Sequence, residues 1–421
     1  MPTTKPTRKA TWIESIPEHW NEAPFFAHTI ERKRKNTGMK SDNLLSLSYG
    51  RIVRKSMEAN DGLVPESYET YQIVEPGELV FRLTDLQNDK RSLRSAISLE
   101  TGIITSAYLA VSPVGILPEF MSYLMRSYDL QKVFYAMGGG MRQSLKYDDM
   151  RHLPLVFPPL EEQSYIAEFL DNETGRIDGL IAQKARFIAV LDDKEKAMIS
   201  HFVRRGIDPG APTKDSGVEW RGIVPAHWRR ARIKNHFKQV KRQGYDELTV
   251  LSVYREFGVI EKASRSDNIN KTPEDLSKYQ LVEPNDLAIN KMKAWQGSMG
   301  ISPHLGITSP DYVVMTPIGE HNPKYMHHYL RARPMPWVYR LISNGIRTDQ
   351  WRMEPEKFLE LPIFLPPMDE QEAIANRIDL ELDRIRDLIE KTESTIALLK
   401  EKRAALITAA VTGKVEVKAE A

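Results

Sequence analysis

In two long stretches of the chain, apolar residues recur at three- and four-residue steps. In the first they are Ile166, Leu170, Ile177, Leu180, Ile181, Ile188 and Leu191. In the second they are Ile374, Ile378, Leu382, Ile385, Leu388, Ile389, Ile396 and Leu399. That spacing collects them on one face of an α-helix. Each stretch is opened by the same phrase, "LPLVFPPLEEQ" from Leu153 and "LPIFLPPMDEQ" from Leu361. The paired prolines stop a strand-like run. The carboxylates behind them, Glu161 and Glu162 or Asp369 and Glu370, suit the positive end of a helix dipole. The pattern predicts two helices of about 40 residues, roughly 60 Å each, ending near Gly206 and Gly413. So long a helix with so narrow a seam cannot be buried on all sides. The two seams are therefore expected to pack on each other as an antiparallel coiled coil that acts as a ruler between two domains.

The phrase belongs to a longer repeat. Trp12, Ile16, Pro17, His19 and Trp20 align with Trp220, Val224, Pro225, His227 and Trp228 at an offset of 208. "YQIVEPGELVF" from Tyr71 aligns with "YQLVEPNDLAI" from Tyr279 at the same offset. Interior loops shift it to 206 at Ser46 and Ser252 and to 203 at Ile104 and Ile307, and it returns to 208 from Leu153 through Val203 and Val411. A repeated unit of about 200 residues has the size of a domain with a connector and is too long for a solenoid repeat. Runs such as "NLLSLSYGRIV" and "DYVVMTPI" have strand character, whereas residues 118–137 and 323–342 have that of short helices. The expected fold is α+β. Two similar mixed α/β domains, residues 1–157 and 207–365, are separated by long helices at 158–206 and 366–413, with a flexible tail at 414–421 and an internal pseudo-two-fold duplication.

Composition changes this picture little. The 421 residues are 41% hydrophobic and 28% charged, with no apolar run approaching the roughly 18 residues a spanning helix needs. No secretory signal is read in MPTTKPTRKA, and the absence of cysteine excludes disulfides and thiolate metal sites and fits a cytoplasmic location. The net charge of +2 is small, but basic residues are unevenly placed. From Arg221 to Arg242 there are eight and no acidic residue, and the matching place in the first half carries Arg32, Lys33, Arg34, Lys35 and Lys40 against Glu31. Basic runs at equivalent places in both halves point to a phosphate backbone.

Catalytic apparatus is not legible. The chain has no GxGxxG, GxxxxGK[ST] or HExxH motif, and the adjacent His327 and His328 are poorly spaced as a metal pair. Phe157-Pro-Pro-Leu160 and Leu365-Pro-Pro-Met368 only mimic the Pro-Pro loop of amino-methyltransferases. They lack the amide or carboxylate and the aromatic ring that such a loop uses on an extruded base. The candidate reading surfaces are instead two polar loops per half: residues 82–96 and 138–149, then 290–302 and 344–354. Arg and Lys suit guanine edges and phosphates, and Gln suits adenine. The candidate DNA contacts are Arg82, Lys90, Arg91, Arg94, Arg142, Lys291, Lys293, Gln296, Arg347 and Arg352.

The twin phrases "PPLEEQSYI" and "PPMDEQEAI", the lead-in "SGVEWRGIVPAHW" and the helix end "EKRAALITAAVTGK" together resemble the specificity subunit of Type I restriction-modification systems, over nearly the whole chain. The first lead-in, "ATWIESIPEHW", is a degenerate form. The resemblance implies a non-catalytic subunit with two target recognition domains, each reading one half of a bipartite, asymmetric sequence in double-stranded DNA. It implies that the helices set the unread spacer and dock two methyltransferase subunits, with motor and nuclease subunits as further partners. No cofactor is then expected on this chain. S-adenosylmethionine, and ATP with Mg, belong to the partners.

Overall fold

The structure is a computed structural model, and it describes residues 13, 16–57, 67–86, 88–89, 92–137, 144–265, 272–345 and 351–417. The chain divides into two compact units, one of Met1–Ala185 with Glu393–Ala421 and the other of Arg186–Thr392. The two long helices run from Leu160 to Arg205 and from Met368 to Val411, 46 and 44 residues. These bounds lie close to those expected from periodicity. The division of the chain, however, differs from domains with separate spacers. Each long helix gives one portion to each unit.

Both units carry the same sheets. In the first, a four-stranded antiparallel sheet has the order Thr29–Arg32, Leu109–Pro113, Leu79–Phe81, Ser95–Ile97. In the second the order is Phe237–Val240, Tyr312–Pro317, Leu287–Asn290, Met299–Ile301. Antiparallel pairs surround each sheet: Asn21–Pro24 with Pro154–Phe157 in the first unit, and Arg229–Arg232 with Pro362–Leu365 in the second. "NLLSLSYGRIV" forms a hairpin of Leu45–Ser48 and Arg51–Arg54, turned by Tyr49 and Gly50 at positive φ. The expected short helices form at Pro118–Leu130 and Val133–Met137, and at Pro323–Arg331 and Met335–Leu341. A half-buried arginine on the first helix of each pair pins a hairpin turn. Arg126 donates to the Gly50 carbonyl at 2.6 Å, and Arg331 donates to those of Arg255 and Glu256 at 2.7 and 2.8 Å.

The long helices complete both cores. In the first unit Ile166 and Leu170 from one helix and Ile407, Ala410 and Val411 from the other join the cluster around Phe81 and Phe120. In the second unit Val203 from one helix and Ile374 and Ile378 from the other join the cluster around Trp228 and Phe237. Burying each of these Val, Leu and Ile side chains contributes about 1.5–3 kcal/mol. Within the first unit the helices run antiparallel, as Ile166 shares a core with Val411 while Asp178 pairs with Arg403 at 3.0 Å. The seam is narrower than its periodicity suggested, because Leu180 and Leu388 are exposed. At the tail, Val417 packs partly against the first core, and residues 418–421 lie outside the described residues.

The repeated phrase is a joint. Glu162 accepts from the Trp20 indole at 3.1 Å and pairs with His19 at 2.8 Å. Glu370 does the same with Trp228 at 3.2 Å and His227 at 2.6 Å. The buried Gln163 donates to the Pro158 carbonyl at 2.8 Å and accepts from the Leu117 amide at 2.8 Å. Gln371 does so with Pro366 at 3.0 Å and Asn322 at 2.9 Å. Leu117 and Asn322 are the N-caps of the short helices, so each glutamine fixes a short helix to the start of a long one. The long helices end against the same joints. Gly206 and Gly413 adopt φ of +76° and +71°, and a Cβ there would stand 3.7 Å from Trp228 and 3.5 Å from Trp20 respectively. The end of each helix therefore meets the joint that starts the other.

Candidate nucleic-acid interface

Several cations of the two basic segments are committed to scaffold. Arg34 pairs with Glu75 at 2.6 Å and Glu78 at 2.5 Å, and Arg242 pairs with Glu283 and Asp286. Each of these three positions recurs at the 208-residue offset. Glu78 and Asp286 are buried, and burial pushes the Asp286 carboxyl up while Arg242 pulls it down. Arg32 lies 3.4 Å from Glu78, and Arg232 and Lys234 share Glu360 at 2.6 Å each. Arg221 is buried. It lies over Trp228 and Tyr329 and donates to the carbonyls of Val203 and Arg204, where it satisfies the end of the first long helix. The expectation that these runs serve phosphates is thus corrected for Arg34, Arg221 and Arg242, whose bonds are spent on the scaffold. Lys33, Lys35 and Lys40 in the first run and Arg229, Arg230, Arg232, Lys234, Lys238 and Lys241 in the second are exposed.

The polar loops are brought together in both units by one equivalent bond. The Leu145 amide donates to the Leu83 carbonyl at 2.9 Å, and the Met353 amide to the Lys291 carbonyl at 3.1 Å. Both donor and acceptor are displaced by 208 residues. In each unit a segment following the central strand is thereby tied to the segment that precedes the long helix.

In the first unit the tie sits beside Arg94, whose side chain is 0% exposed. Its guanidinium donates to the carbonyls of Thr84 at 3.1 Å, Asp85 at 3.4 Å and Asp89, and its Nε donates to the Tyr135 hydroxyl at 3.2 Å. All of these bonds turn inward, so Arg94 is not a DNA contact but the organiser of the loop. That corrects the sequence-based expectation. The Arg94 amide also donates to Asp129 at 2.5 Å, whose carboxyl is raised by burial against that bond. Arg82 is half-buried beside it, its amide donating to the Arg94 carbonyl at 2.9 Å. Lys90, Arg91 and Arg142 lie outside the described residues.

In the second unit the tie gathers four of the five candidates. Lys293 and Arg352 are exposed, and Lys291 and Gln296 are half-buried. The Arg352 Nε contacts the Met292 sulfur at 3.2 Å, which sets the two loops side by side. Trp295 and Trp351 meet edge to face at 5.7 Å, and Arg340 lies 4.9 Å over Trp351. Sequence reasoning missed Arg340, which sits on the short helix Met335–Leu341 and carries no local signal linking it to the loop. Arg347 lies outside the described residues. The surface offers cations, an amide and aromatic faces, a set able to meet phosphates and base edges. Among the described residues there is no cluster of three or more His, Asp or Glu able to hold a metal, and no helix is long and apolar enough to cross a membrane.

No family model matches the chain. Two proteins of Methanocaldococcus jannaschii are similar to it. "Putative type I restriction enzyme MjaX specificity subunit" is 25% identical over 308 residues, 72% of this chain and 69% of that one. "Type I restriction enzyme MjaVIII specificity subunit" is 27% identical over 289 residues, 63% of each, so the chain spans just under two thirds of this second relative. Two solved structures share the fold. One is a chain from work described as the structural basis of complex assembly and conformational transition of the type I R-M system, with TM-score 0.67, 15% identity, and 95% of this chain and 100% of that one covered. The other is the HsdS subunit of Thermoanaerobacter tengcongensis, with TM-score 0.52, 16% identity, and coverage of 95% and 98%. In sequence the chain is similar to specificity subunits of Type I restriction-modification systems, and it shares the fold of solved chains from such systems.

Proposed function

We propose that the chain is the DNA-recognition subunit of a Type I restriction-modification complex, each unit reading one half of a bipartite, asymmetric target. The observation that carries this reading is the duplicated tie between two polar loops, which presents a loop pair from each copy of one scaffold. A repeated scaffold with unlike loops suits a repeated task on two unlike half-sites. The chain itself is non-catalytic, and two methyltransferase subunits that bind S-adenosylmethionine supply the chemistry, in the cytoplasm. Motor and nuclease subunits using ATP and Mg are further partners. Exposed apolar residues on the long helices, among them Leu180, Phe187, Val190, Leu388 and Leu398, offer the methyltransferase subunits docking positions. The helices set the unread spacer.

Selection of bound duplexes from a random library tests this. The complex should recover two fixed half-sites with a constant gap. A chain with one long helix shortened by about two turns should recover the same half-sites with a different gap, or fail to assemble. Changed half-sites with an unchanged gap would contradict the assignment of roles.

A further inference from the structure

The last three turns of the first long helix carry a feature that the DNA-reading loops do not use. Lys196, His201, Arg204 and Arg205, with Asp193 and with Arg333 from the segment after the short helix, line a cavity of about 510 Å³. The Ser200 hydroxyl donates to the Arg333 carbonyl at 2.7 Å, which holds that segment against the helix. Four permanent cations and a histidine thus face one carboxylate. Arg204 is only partly satisfied. One Nη donates to the Arg221 carbonyl at 3.0 Å, while its buried Nε has no hydrogen-bond partner among the described residues. Burial lowers the Arg204 pKa, and Arg221 and Arg205 lower it further.

Helix-end electrostatics account for part of this cluster, since cations in a last turn complement the dipole. They do not account for Lys196, two turns earlier, or for Arg333 on another segment. The internal repeat supplies a control. At the 208-residue offset, Asp193, Lys196, His201, Arg204 and Arg205 correspond to Glu401, Ala404, Ala409, Thr412 and Gly413. The second long helix ends against the same kind of Trp–Glu joint without any of these cations. Ending a long helix there does not require them.

We propose that this cavity binds a phosphate group, as an anion site separate from the reading loops. Gathering like charges around open space is unfavourable until an anion enters, and guanidinium forks match phosphate oxygens. The phosphate comes either from a free polyphosphate or from the phosphodiester backbone of DNA.

The full-length chain is titrated calorimetrically with inorganic pyrophosphate, as wild type and as the double variant Lys196→Gln/Arg333→Gln. Both side chains are exposed, so folding is not at stake. Saturable one-to-one binding, weakened about tenfold or more in the double variant and largely restored by Arg333→Lys, is expected. In a second arm, duplex binding is measured against salt. If the phosphate belongs to DNA, the double variant lowers the log–log slope by about 1 to 2 and leaves half-site preference intact. A change in either arm supports the site and identifies the source. No pyrophosphate binding together with an unchanged salt slope overturns it. Failure of the DNA-recognition assignment would appear separately, as a wild-type chain blind to sequence.

Discussion

Glu370 holds two donors at once, the indole of buried Trp228 and the ring of His227. Replacing it by Ala leaves the indole without its acceptor inside the second unit, which should cost about 1–3 kcal/mol. Urea unfolding checks this, and Glu162→Ala should cost a similar amount in the first unit. The arginines separate by where their bonds go. Arg94→Ala removes a buried fork from at least three loop carbonyls and should destabilise the first unit by roughly 2–4 kcal/mol. Arg352→Ala should leave stability within about 0.5 kcal/mol and weaken binding to one half-site by about 1–3 kcal/mol if its fork meets a base. Unfolding curves and duplex titrations on both variants decide between these roles. The sequence assigned the two residues the same part because both lie in polar loops. What distinguishes them is Tyr135, Thr84 and Asp89 closing around Arg94, contacts made only once the loop has folded. The same holds for Arg34 and Arg242, whose carboxylates lie some forty residues downstream and turn these two members of the basic runs into scaffold.

At the scale of elements, the long helices were legible because apolar spacing, stop signals and first-turn carboxylates agree over many turns. Their glycine ends were legible too, and the reason is now physical. Gly206 sits at φ +76°, and a Cβ there would come within 2.9 Å of the Glu370 carboxylate. Gly206→Ala should therefore cost about 1–2 kcal/mol, read as a lowered unfolding midpoint. Less legible was which seam positions are covered. Leu180 and Leu388 fit the helical spacing yet face outward, because periodicity marks a stripe and not its width. The short helix Pro323–Arg331 makes a further prediction. Burial holds His327 at about 3, and burial with the neighbouring His236 holds His321, just before that helix, at about 4, below an ordinary 6.5. Both folded-state values are depressed, so the unfolded chain takes up more protons between those limits. Their contribution is present above about pH 6.5 and is lost as pH falls toward 4 and 3. The unfolding midpoint should be lower at about pH 5 than at about pH 7.5, and His327→Gln should flatten that slope. A slope unchanged by the substitution would refute the assignment to His327.

For the molecule as a whole, the duplication is the central fact. One offset relates the Trp–Glu joints, the ion trios and the loop ties, so the repeated positions are scaffold and the unlike loops are what each unit adds. The division into two units was legible from the repeat, but not that each unit takes part of both long helices, since that depends on packing between residues about 240 positions apart, such as Ile166 with Ile407. The most direct test of two-part recognition is single-molecule mapping of methylated bases in a host genome. The chain is co-expressed with the methyltransferase proposed as its partner, and the mapping is repeated with the chain deleted. The expected result is a two-part, asymmetric, adenine-methylated motif that disappears on deletion. A soluble complex with an active methyltransferase and no such motif, or a motif that survives deletion, would contradict it.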